Sequence, residues 1–91
     1  MSARNNDTGE VAVRLERARW RSRRGLLELE LLLAPFVEGA FSELPEALKV
    51  DYESLLEHDD MDIHEWLLAR RPVPEAVEPI VVAIRQFLGI N

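Results

Sequence analysis

The sequence predicts an all-α protein: a small single-domain bundle of about five short helices. Apolar residues recur at three- and four-residue spacing along most of the chain, and no convincing period-two strand pattern occurs. Pro and Gly fall near the ends of several of these stretches, where they start or stop helices. With 91 residues, of which 47% are hydrophobic, the chain can bury one modest core and is too short for two.

Residues 1–10 are polar and lack periodicity, so they read as a flexible N-terminal tail ahead of a single helical domain over 11–91. A first helix, about Val11 to Arg23, places Val11, Leu15, Ala18 and Ser22 on a narrow inner face, and Trp20 reads as a packing residue that seals it. The second, about Leu26 to Phe41, is so rich in Leu that it should be the central, most buried element; Pro35 should interrupt or bend it. The third opens near Pro45, a favourable first-turn residue. It runs to about His58 with Leu48, Tyr52, Leu55 and Leu56 on one face. In the fourth, Asp62 is the expected N-cap with Glu65 as its capping-box partner, and Ile63, Trp66 and Leu67 point inward. Arg70 and Arg71 suit the negative end of that helix, and Pro72 and Pro74 prevent its continuation. The last helix carries Val77, Ile80, Val81, Ile84, Phe87 and Leu88 on one face and stops at Gly89. Pro79 leaves open a start near 75 or near 79.

Composition narrows the class further. The absence of cysteine excludes disulfides and thiolate metal sites. The first ten residues lack the apolar stretch of a signal peptide, and no segment approaches the roughly 20 apolar residues of a membrane span. A soluble, cytoplasmic, monomeric protein is the expectation. The net charge of −6 argues against general affinity for nucleic acid.

That charge is sharply sorted. Residues 1–24 carry seven Arg against three acids, about +4, whereas residues 25–91 carry three Arg and one Lys against fourteen acids, about −10. Such sorting points to a surface read by a partner. On a regular helix Arg14, Arg17, Arg21 and Arg24 share an arc of roughly 80°, and Glu28 falls on it if the helix continues. A solvated face with an Arg24–Glu28 pair is the bland interpretation. Against it, Arg four residues before Glu is the poorer order for a helical pair, and four like charges on one arc repel. Gly25 costs about 1 kcal/mol inside a helix but little as a left-handed C-cap, so a break there is preferred over a continuous helix. Either geometry should leave an exposed Arg, a bare backbone and a Glu in one small patch. Trp20 among five Arg also permits a nucleic-acid surface, although one aromatic is thin support.

The run Arg19-Trp20-Arg21-Ser22-Arg23-Arg24-Gly25-Leu26-Leu27-Glu28-Leu29-Glu30 resembles the signature of the succinate dehydrogenase flavin-assembly factors (SdhE type), whose core is Arg-Gly-x-x-Glu. Pro35-Phe36, the helix end at Tyr52–Leu56 and the segment Glu57 to Leu67 also resemble that family, so the likeness covers about residues 14–88. It implies a five-helix assembly chaperone, not an enzyme. Such a chaperone binds the flavoprotein subunit of succinate dehydrogenase, and often of fumarate reductase, and promotes covalent attachment of FAD to a client histidine. By position, the resemblance makes Arg24, Gly25 and Glu28 the partner-binding motif and Arg19, Trp20, Arg23 and Glu30 its flanks. Arg24 would pair with a client carboxylate or a flavin phosphate, and Glu28 would bond a client donor or orient Arg24. It implies no tightly bound cofactor of the chain's own; the FAD acted on is the client's. Leu26 stands where Met is usual, Glu30 where Asp is common and Ser22 where Cys is frequent. A Gly often found before the Lys/Arg-Pro turn is missing from Ala69-Arg70-Arg71-Pro72.

Two other possibilities remain at this level. Asp59, Asp60 and Asp62 with His58 and His64 could suggest a metal site, but they lack the Gly of a calcium loop and the paired His of a zinc helix. Capping and solvation account for them, so no metal is expected. A small regulator or antitoxin-like protein using the Arg-rich helix against nucleic acid or a toxin is the alternative function.

Overall fold

The computed structural model describes residues 2–90, with side chains from residue 9 onward. Five α-helices and two short 3-10 turns make the protein 76% helical, with no strand among the described residues. The helices are α1 (Ser2–Arg21), α2 (Leu27–Ala40), α3 (Glu46–Leu55), α4 (Asp60–Leu67) and α5 (Glu78–Leu88). The 3-10 turns, Phe41–Glu43 and Glu75–Val77, lead out of α2 and into α5.

The Leu-rich α2 is central, as its composition predicts: it packs against α1, α4 and α5. It buries Leu29, Leu33, Phe36 and Val37, at three- and four-residue spacing. Ile80, Val81 and Ile84 of α5 and Ile63, Trp66 and Leu67 of α4 complete the same core. Tyr52 of α3 stands between Phe36 and Phe41, with ring centroids 5.7 and 5.6 Å away. Aromatic pairs of this kind contribute about 0.5–1.5 kcal/mol beyond the area they bury. Pro35 lies inside α2 on an exposed position, and the helix continues through it to Ala40.

Several boundaries differ from the sequence expectation, each for a local reason. Helix α1 is helical from Ser2, not from about Val11, and so takes in the segment assigned to a tail. Val11, expected on the inner face, is exposed, whereas Leu15, Ala18 and Ser22 face the body. Helix α3 ends at Leu55, and residues 56–58 form a turn. Helix α4 is capped by Asp59, whose side chain accepts the Met61 N–H at 3.1 Å, not by Asp62. Three acids in four residues each offer a cap, and periodicity alone does not choose among them. Asp62 instead pairs with Arg71. Phe87 is half exposed; its ring packs edge-on against Phe36, centroids 5.5 Å apart, over the backbone of Gly39. Helix α5 starts at Glu78 with Pro79 in its first turn, and it ends at Gly89, whose φ of 76° is left-handed.

Candidate functional site

Helix α1 stops at Arg21, and residues 22–26 form a non-helical junction before α2 begins at Leu27. The break expected at Gly25 is therefore present, but a left-handed glycine does not make it. Gly89 is the only described glycine with positive φ. The junction is held by side chains. Ser22, buried, shares a 2.5 Å hydrogen bond with the Tyr52 hydroxyl, anchoring the end of α1 to α3.

Arg24 does most of the remaining work. Its Nε donates to Asp60 Oδ1 at 2.7 Å, Nη1 to the Arg21 carbonyl at 2.8 Å and Nη2 to the His58 carbonyl at 3.0 Å. The second oxygen of Asp60 accepts the Gly25 N–H at 3.2 Å. Only 14% of the Arg24 side chain is exposed. The exposed Arg expected here is thus turned inward, and its partner is Asp60, not Glu28. Asp60 is the residue the sequence reading passed over as solvated. Its place at the head of the Asp60-Met61-Asp62 run, within a segment that carries the family likeness, was the available signal.

The other arginines of α1 are also largely committed. Arg14 forms a fork onto Glu53 at 3.0 and 3.1 Å and reaches Glu46 at 2.8 Å. Arg19 binds Glu38 at 2.6 and 2.9 Å and Glu16 at 2.8 Å, and Arg21 meets Glu57 at 3.1 Å. The paired carboxylates hold the Arg14 and Arg19 guanidiniums well above the ordinary arginine range, and Arg19 holds the Glu38 carboxyl below the usual carboxylate range. Charge sorting along the sequence is therefore mostly consumed in docking a basic helix on an acidic body. Arg17 and Arg23 make no ion pair among the described residues.

What stays open to solvent is mixed and largely apolar. Trp20, expected to pack, is 65% exposed, with the Arg23 guanidinium 5.2 Å from its ring centroid. Leu27 and Leu31, 63% and 65% exposed, lie one turn apart on the outer side of α2 with exposed Glu28 between them. A groove of about 360 Å³ runs between α1 and α2, lined by Glu16, Arg19, Trp20, Ser22, Arg23, Glu30, Ala34, Val37 and Glu38. The structure thus gathers the flanking residues Arg19, Trp20, Arg23 and Glu30 around one groove. Arg24, Gly25 and Glu28 are not among its lining residues. No group of three or more His, Asp or Glu among the described residues is disposed to hold a metal ion, and no described helix is long and apolar enough to cross a membrane.

Fold and junction together define a small helical protein whose Arg-Gly-x-x-Glu segment runs from a structured junction into the first turn of α2. Residues 16–88 match the family model described as flavinator of succinate dehydrogenase, and the chain belongs to that family. It is 46% identical over 52 residues to the FAD assembly factor SdhE of Vibrio vulnificus (strain YJ016), a match spanning 57% of this chain and 60% of that protein. It is 42% identical over 73 residues to the FAD assembly factor SdhE of Idiomarina loihiensis, covering 80% and 79% of the two chains. A third relative, of Shewanella oneidensis and described in the same words, is 36% identical over 69 residues, 74% of this chain and 84% of its own. No solved structure matches the chain.

Proposed function

We propose that this protein binds the flavoprotein subunit of succinate dehydrogenase and promotes covalent attachment of that subunit's FAD. The bond-forming chemistry belongs to the client and its flavin. The chaperone acts by binding the attachment-competent conformer more tightly than the others, which shifts the client's population. The proposal extends to the flavoprotein subunit of fumarate reductase. Contact is made by the open surface around the junction: Gly25, Leu27, Glu28 and Leu31, with Trp20 and Arg23 at its edge. Trp and Arg are the residue types that dominate binding energy at protein interfaces, and the two exposed Leu add apolar area around them.

One observation carries the reading. A Cβ built on Gly25 would meet nothing closer than Asp60 Oδ2 at 3.9 Å, an ordinary contact, and the residue's φ lies outside the left-handed region. Neither strain nor packing within the chain calls for glycine there, and its bare backbone leaves room for a partner's backbone to approach from outside. Gly25→Ala should leave the melting temperature within about 2 °C while covalent flavin on the co-expressed client falls about tenfold. Glu28→Ala should do the same, since that carboxylate has no partner among the described residues. Flavin fluorescence of the client band in a denaturing gel reads the outcome. Full flavin attachment with both variants would remove this surface from the function. Commitment of Arg14, Arg19, Arg21 and Arg24 to carboxylates counts against the nucleic-acid alternative.

A further inference from the structure

We infer that Asp60 and Arg24 are positioning residues of the Arg-Gly-x-x-Glu segment: they fix the Gly25 backbone in the shape the client binds, and neither meets the client through its charge. This deepens the function proposed above and rests on it.

The carboxylate of Asp60 is shared between the Arg24 Nε and the Gly25 N–H, 2.7 and 3.2 Å away. Arg24 spends its two remaining nitrogens on the carbonyls of Arg21 and His58. The last residue of α1, the junction, the loop before α4 and the first residue of α4 are thereby tied into one unit. Helix capping does not account for Asp60, because Asp59 already caps α4. Attraction between opposite charges does not account for Arg24 either. Three acceptors in three directions require the rigid fork of a guanidinium, which a Lys ammonium on a flexible stem does not reproduce. A guanidinium so occupied has little left to offer a client carboxylate or a flavin phosphate. Glu28 stands outside the network, one residue into α2, exposed and free to make the charged contact.

Two variants separate positioning from contact. Asp60→Asn keeps the size of the side chain but leaves one acceptor oxygen for two donors. Arg24→Lys keeps the charge but loses the fork. In the free protein, exchange of the Gly25 amide with deuterium should quicken about tenfold in each, while exchange in the α2 and α5 core stays as in wild type. Affinity for the purified, flavin-free succinate dehydrogenase subunit should fall about tenfold in each single variant and no further in the double variant. Three results overturn the inference: Arg24→Lys binding at wild-type strength, Asp60→Asn leaving Gly25 exchange and binding unchanged, or losses that add in the double variant. A wild-type chain that does not bind the subunit overturns the proposed function along with it. Wild-type binding accompanied by Asp60 variants of full strength overturns the positioning role alone.

Discussion

Gly25 and Ala69 break the same backbone rule in opposite senses. Gly25 has no conformational need for glycine, whereas Ala69 has φ of 59° with a methyl group attached. It follows α4, where the Arg70 N–H bonds the Glu65 carbonyl at 2.8 Å and the Ala69 N–H bonds the Trp66 carbonyl at 3.1 Å. That pairing is the Schellman ending, which places a left-handed residue where Ala69 stands. A left-handed L-residue costs about 1–2 kcal/mol, partly offset in Gly by the entropy it loses on folding. Ala69→Gly should therefore stabilise the protein by about 0.5–1 kcal/mol and raise its melting temperature by about 4 °C; an unchanged or lower value in a circular dichroism melt would contradict this. The missing Gly noted in the sequence thus leaves the turn intact and strained. Ser22 offers a second residue-scale test. Tyr52→Phe strands its hydroxyl, 4% exposed as a residue, without the 2.5 Å partner it now has. The loss should be about 1–2 kcal/mol in urea unfolding, and recovery of stability in Ser22→Ala/Tyr52→Phe would assign it to the stranded group.

At the scale of elements, helix α1 is attached differently from the rest. Helices α2 to α5 share a continuous apolar core, whereas α1 contributes buried Ala18, half-buried Leu15 and a set of ion pairs, with buried Ser22 just past its end. The attachment to α3 runs through Arg14, Glu46 and Glu53, with 23% of the Arg14 and 29% of the Glu53 side chain exposed. Partial solvent screening limits such a pair to about 0.5–1 kcal/mol. Glu53→Gln should accordingly quicken hydrogen exchange in the C-terminal half of α1 two- to fivefold, ~0.5–1 kcal/mol, without touching α5, and molar salt should do the same to wild type. Equal effects on both helices would mean that α1 is not the weaker unit. The core helices were legible in the sequence because α2 and α5 state their buried faces in local spacing. The destination of the arginines was not, because Arg14 and Glu53 are 39 positions apart and Arg24 and Asp60 are 36 apart. Local pattern shows that charges are sorted and stays silent on which distant acids receive them. Trp20 failed for a related reason: a large aromatic is highly buried on average, and only tertiary placement leaves this one outside, among arginines.

Over the whole molecule, a segment of about +4 closes on a body of about −10, and the surplus left on the surface is acidic. This arrangement has a consequence for stability at alkaline pH. Arginines stay protonated there, the more so for Arg14 and Arg19 beside their carboxylates, so the pairs that hold α1 survive. The group that yields is Tyr52, the only tyrosine of the chain. Burial pushes its phenol up from about 10 to about 12, against the weaker opposing effects of the Ser22 hydrogen bond and of Arg24 and Arg21. Between these values the unfolded chain has released the proton while the folded chain retains it, so unfolding releases a proton and stability falls as pH rises. The stabilisation is fully present below about pH 10 and is lost progressively as the pH rises towards 12, on the order of a few kcal/mol in all. Urea unfolding at intervals across that window should show the decline in wild type and a much shallower one in Tyr52→Phe. Because no second tyrosine contributes, the phenolate absorbance of the native protein should titrate about two units above that of the urea-unfolded chain. Coincident titrations, or parallel loss of stability in the two proteins, would show that the Tyr52 hydroxyl is not held in the apolar site between Phe36 and Phe41 on which the docking of α1 depends.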